Sequence, residues 1–124
     1  MLKTGLSFTS RTTVCTANTA KAIGSGDMEV FATPAMIALM ENAAMSAVAD
    51  FLPEGSSTVG AEMNVSHIKP SGLGAEITAT AVLTAIDGRK MTFNVGASDG
   101  QGMIGEGVHV RYIVDRERFM SKVR

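Results

Sequence analysis

The feature of this sequence that most limits its fold is the segment Ala35–Phe51, which is apolar on nearly every side when its residues are placed 100° apart as in a helix. Thr33 is a suitable N-cap and Pro34 suits the first helical position, so we predict a helix that begins there and ends before Pro53. A helix without a broad polar face must be largely buried. With 124 residues the chain can form one core, so the other segments must cover this helix.

Those other segments have the pattern of strands. Residues 5–16 are rich in Thr, Ser and Val, residues 17–32 contain a loop, and four strand-like segments follow the helix. Asp87-Gly88 and Asp99-Gly100 are hairpin signals, which predict an antiparallel meander for the last three strands. The predicted strands are 5–16, Thr58–Lys69, Ala75–Ile86, Arg89–Ser98 and Met103–Val114, with a terminal turn of helix in the charged tail Asp115–Arg124. We therefore predict one α+β domain over residues 1–124, with one long buried helix and a five-stranded antiparallel sheet.

Composition excludes several classes of function. Eleven Lys and Arg against twelve Asp and Glu give a formal charge of −1, so neither nucleic acid nor a membrane is predicted as a partner. Cys15 cannot form an internal disulfide, and one Cys with two His cannot supply a four-ligand zinc site. We expect an inert, partly buried thiol at Cys15. The chain has neither a signal-peptide core nor the ~18 apolar residues of a membrane span, which favours a cytoplasmic protein.

One carboxylate falls inside the apolar arc of the predicted helix, at Glu41. The arc around it contains Ile37, Ala44, Met45 and Val48, and the stripe expected to face solvent contains Ala35, Asn42, Ser46 and Asp50. A carboxylate in apolar surroundings is costly unless it is hydrogen-bonded, paired or protonated. Either the helix is rotated so that Glu41 reaches solvent, or the carboxylate has a chemical role.

An imidazole is predicted to face the same interior. Strict alternation along the strand Thr58–Lys69 places His67 on the face of Val59, Ala61, Met63 and Val65, which should cover the helix. A single inward His is more often a core residue with satisfied hydrogen bonds than a catalyst. Together with an inward carboxylate, however, it is a candidate general base.

Thr33 is the third candidate. Capping the helix is the commoner use of such a Thr, but the free N–H groups of a helix N-terminus also suit a developing oxyanion. Because Pro34 has no N–H, the donors would be Thr33, Ala35 or Met36. Eight residues separate Thr33 from Glu41, or ~12 Å along the helix, so they can cooperate only across a substrate or across two copies of the chain.

His109 and Arg111 lie near the end of the last predicted strand, where they alternate with apolar residues. The apolar face of this strand is predicted to carry Ile104, Val108, Val110, Tyr112 and Val114. We therefore expect His109 and Arg111 to point outward as a pair, with anchoring of an anionic ligand as the alternative.

The order of one strand, a long helix and four antiparallel strands resembles the hotdog fold, and its motifs resemble the fluoroacetyl-CoA thioesterase family. The resemblance is carried by Val30–Ala43, Val59-Gly60, Val65-Ser66-His67 and Ile104–Arg111, with the spacing Thr-x₇-Glu-x₂₅-His. It implies a homodimeric acyl-CoA thioesterase, alone or paired into a tetramer, with Thr33, Glu41 and His67 as catalytic residues. Gly60 matches a glycine that lines the acyl end of the family's pocket.

The implied chemistry is hydrolysis of a thioester to CoA and a carboxylic acid, without a metal or other cofactor. We expect His67 to act as general base on water or on the Thr33 hydroxyl, and Glu41 either to orient His67 or to attack the carbonyl. Arg111, Lys69 and Arg89 are the candidate cations for the CoA phosphates, with Arg111 assigned to substrate binding.

Selectivity for the fluoroacetyl group is not expected. The family's fluoroacetyl-specific member has an aromatic-rich lid before the helix, whereas Lys21–Met28 contains no Phe, which favours a broader or different short acyl group. A non-catalytic acyl-CoA binding dimer and a hotdog hydratase are the alternatives. The second lacks support because we find no hydratase-type Asp and His motif before the helix.

Overall fold

A five-stranded antiparallel sheet covers one side of a long helix in the computed structural model, which describes residues 1–124. The elements are β1 Ser7–Thr13, α1 Ala20–Ile23, α2 Thr33–Val48, β2 Ser56–His67, β3 Glu76–Asp87, β4 Lys90–Ser98, β5 Met103–Asp115 and α3 Arg116–Ser121. The strand order is β1-β3-β4-β5-β2, so the predicted meander of β3, β4 and β5 is confirmed and β1 and β2 form the two edges. The four strands after α2 begin and end within two residues of their predicted bounds.

The core lies between α2 and the inner face of the sheet. The buried residues of the helix are Met36, Met40, Ala43, Ala44, Ala47 and Val48. They pack on alternate residues of two interior strands, namely Ile77, Ala79, Ala81 and Leu83 of β3 and Met91, Phe93, Val95 and Ala97 of β4. Fully burying one large side chain such as Met40 contributes about 1.5–3 kcal/mol. Because a single sheet covers only one side of a helix, α2 is less enclosed than predicted, and Ala38 and Met45 are exposed on its other side.

The helix begins one residue earlier than predicted. Ala32 is the N-cap residue, and Thr33 is already helical and makes no capping hydrogen bond. Pro34 in the first turn needs no N–H partner, as expected from the sequence. After Val48 the chain continues as a 3₁₀ turn to Phe51, where the helix was predicted to end.

A β-bulge at Ala61 changes which residues of β2 face the core. The pairing of β2 with β5 shifts between Gly60 and Glu62, so one residue is inserted into the alternation. Thr58 and Gly60 therefore share the inner face with three residues beyond the bulge, Met63, Val65 and His67. The predicted inward orientation of His67 is correct, whereas that of Val59 and Ala61 is wrong.

The predicted orientation of His109 and Arg111 is also wrong, because they are 1% and 6% exposed and lie on the inner face of β5. His109 is opposite Phe93 of β4, a core residue. The same face of β5 carries Gly105, where an added Cβ would lie 2.6 Å from the Met36 sulfur. The inner face of this strand is therefore formed by glycine and buried polar residues, whereas Val108 on the outer face is 41% exposed.

The remaining differences are local. The first strand is shorter than predicted, and the predicted loop 17–32 contains the short helix α1. Cys15 is exposed rather than partly buried. The predicted terminal turn is α3, whose N-cap Asp115 accepts a hydrogen bond from the Arg118 backbone N–H. None of the helices combines the length and apolar character needed to cross a membrane.

Candidate active site

Thr33 and His67 meet at the N-terminus of α2. The Thr33 Oγ1 and His67 Nδ1 atoms are 2.7 Å apart, a hydrogen-bond distance. Thr33 is placed by the first turn of α2, and His67 is the last residue of β2. Because Thr33 is the first helical residue and not the N-cap, its hydroxyl is available for this bond. The pair borders a cavity of about 320 Å³, whose wall also includes Val30, Phe31 and Lys69.

The environment of His67 favours a neutral imidazole. Burial lowers its pKa below the ordinary value, and a main-chain contact from Lys69 offsets part of that effect. The ring's Nε2 atom is buried and has no hydrogen-bond partner. A neutral ring that carries its proton on Nε2 can accept the Thr33 O–H at Nδ1, which is the arrangement of a general base beside a hydroxyl.

The first turn of α2 also supplies backbone donors. The Met36 N–H is bonded to the Ala32 carbonyl, so Met36 is no longer a candidate donor for an oxyanion. Pro34 has no N–H, and the N–H groups of Thr33 and Ala35 have no partner in the chain. These two donors are next to the Thr33 hydroxyl, where a thioester carbonyl attacked by that hydroxyl would place its oxygen.

Glu41 lies in a different cavity and does not meet His67 in the same chain. Its carboxylate is 42% exposed and its Oε2 is 3.9 Å from Nη1 of Arg111. This cavity, of about 250 Å³, is lined by Gly60, Met63 and His109 on the sheet side. The Glu41 carboxylate and the His67 imidazole therefore do not pair within one chain, because two turns of helix separate Glu41 from the end of α2 that His67 contacts, and their pairing across two copies of the chain stays a prediction.

The Arg111 guanidinium is buried behind Glu41 and is fixed on three sides. Its Nε donates to Thr58 Oγ1 at 2.8 Å, its Nη2 donates to the Thr58 carbonyl at 2.9 Å, and its Nη1 is 3.2 Å from His109 Nε2. His109 in turn places Nδ1 2.7 Å from the Glu62 carbonyl. At 6% exposure, Arg111 is no surface cation for a phosphate.

Thr58 and His109 are the residues of this cluster that the sequence prediction missed as part of the site. Strict alternation excluded both from the inner face, and no local motif indicates the bulge that brings Thr58 inward. Gly105 and Gly107 lie on the same face of β5 as His109, and glycines in a strand are a signal that could have indicated a tightly packed inner face.

The other two candidate cations lie in different places. The Lys69 ammonium is 2.8 Å from the Asp99 carboxylate and lines the cavity of Thr33 and His67. Arg89 lies in the turn between β3 and β4, and its carbonyl accepts the Ile113 N–H near the far end of β5. Lys69 is therefore the candidate cation next to the hydroxyl and imidazole.

Comparison with known proteins identifies the family. The family model described as fluoroacetyl-CoA-specific thioesterase matches residues 14–117. The chain belongs to this family. A curated fluoroacetyl-CoA thioesterase from Streptantibioticus cattleyicolor is 40% identical over 96 residues, which are 77% of this chain and 69% of that protein. The predicted family membership is thus confirmed, and the protein is a thioesterase.

Solved structures agree with this family assignment. The fluoroacetyl-CoA thioesterase FlK superposes with a TM-score of 0.93 at 33% identity, covering 100% of this chain and 96% of that one. A thioesterase-superfamily protein from Thermus thermophilus superposes with a TM-score of 0.90 over 98% of this chain and 90% of its own, at 22% identity, which supports the fold alone. The predicted hotdog fold is therefore confirmed for this member of the fluoroacetyl-CoA-specific thioesterase family.

Proposed function

We propose that this thioesterase hydrolyses short-chain acyl-CoA at sites shared between the two subunits of a homodimer. Each site would combine Thr33 and His67 of one subunit with Glu41, Gly60 and Arg111 of the other. The observation that carries the proposal is the 2.7 Å contact between the Thr33 hydroxyl and the His67 ring in one cavity, with Glu41 in another cavity of the same chain.

The free edge of β2 supports a shared site. β2 is an edge strand of 12 residues, and an unpaired edge can pair with the same strand of a second copy. In an antiparallel pair of identical strands that is centred on Asn64, Met63 of one copy lies opposite Val65 of the other. Because the bulge at Ala61 takes up one residue, His67 then lies opposite Gly60. Since Gly60 is beside Glu41, this pairing would bring the carboxylate of one subunit toward the imidazole of its partner.

Water exclusion also favours a dimer. Thr33 is exposed in the single chain, and so are Ala38 and Met45 on the uncovered side of α2. Hydrolysis of a bound acyl group at a defined place requires the substrate to be held away from bulk solvent. A second subunit that covers this side of the helix would close the cavities of both chains.

The proposed chemistry follows from the hydrogen bond. His67 takes the proton of the Thr33 hydroxyl as its oxygen attacks the thioester carbonyl, and the Thr33 and Ala35 N–H groups stabilise the oxyanion. Collapse of the tetrahedral intermediate breaks the carbon–sulfur bond, and His67 returns the proton to the CoA sulfur. Water, activated by His67, then releases the carboxylic acid from Thr33. The Glu41 carboxylate of the partner would stabilise the imidazolium in each step.

Three smaller features bear on the size of the acyl group, the residue that contacts CoA and the cellular compartment. The cavity that holds Glu41 and Gly60 has about 250 Å³, below the ~300–1,000 Å³ of drug-sized ligand pockets, which favours a short acyl group. Lys69 is the first candidate for contacting CoA, because it lines the cavity of Thr33 and His67. The exposed thiol of Cys15 suits a reducing compartment, which favours the cytoplasm.

Mixed dimers test the shared site. Two tagged chains, Glu41→Gln and His67→Ala, are co-expressed and the doubly tagged dimer is purified. It retains one intact site and one doubly altered site, so about half of the wild-type turnover per dimer is expected while each parent dimer is nearly inactive. A dimer of Thr33→Ala with His67→Ala is the matched control, because both lesions lie in the same half of the site and no intact site can form.

The outcomes separate the alternatives. Turnover in the first mixed dimer no higher than in its parents would refute the shared site. Release of free thiol from a panel of short acyl-CoA esters tests the activity itself. If no ester is hydrolysed but CoA esters raise the melting temperature, the non-catalytic acyl-CoA binding dimer is the correct function.

A further inference from the structure

His109 is a buried imidazole for which the proposed chemistry has no use. It is 1% exposed, it lies on the inner face of β5, and the Phe93 ring is 6.3 Å away between centroids. A buried polar ring is expected to have its hydrogen bonds satisfied. Both of its nitrogen atoms have a partner, and these partners determine which nitrogen carries the proton.

The proton of His109 can be assigned from those partners. The Glu62 carbonyl, 2.7 Å from Nδ1, can only accept a hydrogen bond, so Nδ1 must carry the hydrogen. The Arg111 guanidinium can only donate, so Nε2, 3.2 Å from its Nη1, must accept. A neutral His109 with its proton on Nδ1 satisfies both bonds. The ring therefore links the main chain beside the bulge to the guanidinium.

Thr58 holds the opposite side of the same guanidinium. It accepts from Nε with its hydroxyl and from Nη2 with its carbonyl. With His109 on Nη1, all three nitrogen atoms of Arg111 have an acceptor, and the group is fixed in one plane. The edge that carries Nη1 also faces Glu41, with 3.9 Å between Nη1 and Oε2, and the space above Gly60.

We infer that His109 is a positioning residue that, together with Thr58, holds the Arg111 guanidinium in one orientation toward the acyl group and Glu41. This inference rests on the proposed function, which assigns Arg111 to the acyl end of the site. An arginine side chain has several rotatable bonds, and an unfixed guanidinium would lose that freedom each time a substrate is bound. His109 and Thr58 remove this cost before the substrate arrives.

The test compares three substitutions of His109. His109→Phe keeps the ring shape but accepts no hydrogen bond. His109→Gln keeps an acceptor for Arg111 and a donor for the Glu62 carbonyl. His109→Asn keeps a donor toward Glu62 but is too short to reach Arg111, and it replaces the Phe variant where that variant does not fold. Val108→Ala, an exposed neighbour on the same strand, is the control.

The first readout does not depend on activity. In ¹⁵N-edited NMR spectra of the substrate-free protein, a guanidinium fixed on three sides gives separate, slowly exchanging Nη–H signals. Loss of these signals in Arg111→Lys assigns them. We expect them to merge in His109→Phe or His109→Asn and to persist in His109→Gln and Val108→Ala. Separate signals in the Phe and Asn variants would overturn the inference.

The second readout is steady-state kinetics on short acyl-CoA esters. A hydrogen bond to a charged group is worth about tenfold or more, so kcat/KM is expected to fall about tenfold in His109→Phe and to recover in His109→Gln. If the Arg111 signals merge in His109→Phe but kcat/KM is unchanged, the orientation of Arg111 has no role in the reaction. The error would then lie in the assignment of Arg111 to the acyl end of the site. If the wild-type enzyme hydrolyses acyl-CoA but its Arg111 Nη–H signals are not resolved, the inference about His109 is overturned and the proposed function stands.

Discussion

Gly60 offers the sharpest test of where the Glu41 carboxylate must be. A Cβ atom added at Gly60 would lie 2.6 Å from Glu41 Oε2, 3.3 Å from His109 Cε1 and 3.5 Å from Arg111 Nη1. Only the first of these distances is a severe overlap. Gly60→Ala therefore displaces one specific group, the carboxylate, and leaves the guanidinium and its supporting histidine nearly in place.

The size of the effect follows from that distance. To restore an ordinary contact of 3.4 Å, the carboxylate must retreat by about 0.8 Å (3.4 minus 2.6). A displacement of ~1 Å in a catalytic group can cost ~100-fold in rate. The same carboxylate is 42% exposed and can move, and replacing Gly by Ala removes chain entropy worth ~0.4–1 kcal/mol from the unfolded state. We therefore expect kcat/KM to fall ~100-fold while the free energy of unfolding changes by ~1 kcal/mol or less.

The assay measures thiol release from short acyl-CoA esters beside urea denaturation of the same samples. Gly96→Ala is the matched control in the same sheet, because the nearest atom to its added Cβ is the Gly105 carbonyl oxygen at 3.9 Å. In a Glu41→Ala background, Gly60→Ala should cause no further loss of activity. Wild-type kcat/KM in Gly60→Ala would refute the reasoning, since the displaced carboxylate would then have no part in turnover.

Two further predictions concern stability. Burial lowers the pKa of both His67 and His109, so the unfolded chain binds protons that the folded chain does not, and stability should fall as the pH drops below ~6.5. Urea titrations of wild type and His109→Gln check this, and equal slopes against pH would contradict the part assigned to His109. Gly105→Ala should cost ~1–3 kcal/mol in the same assay, because its Cβ would meet the Met36 sulfur at 2.6 Å and the Ser66 carbonyl at 2.7 Å.

The elements of this fold are encoded locally and could be predicted from the sequence. Pro34 in the first helical turn, the apolar run that follows and the Asp-Gly turns before β4 and β5 act over a few residues, so their effect can be read from the chain alone. The order of these elements predicted the hotdog fold, and the motifs that contain Thr33, Glu41 and His67 predicted the family.

The arrangement of the site depends on tertiary structure. The bulge at Ala61 reverses the alternation of β2, so Thr58 and Gly60 face the core. On β5 the face that carries Gly105, where Met36 approaches closely, also carries His109 and Arg111, which are therefore inside rather than outside. Two turns of helix keep Glu41 away from His67 of the same chain. Alternation and spacing describe neighbours along a chain, whereas these contacts join residues brought together only by packing of the helix on the sheet, so apart from the glycines at 105 and 107 no local pattern indicates them.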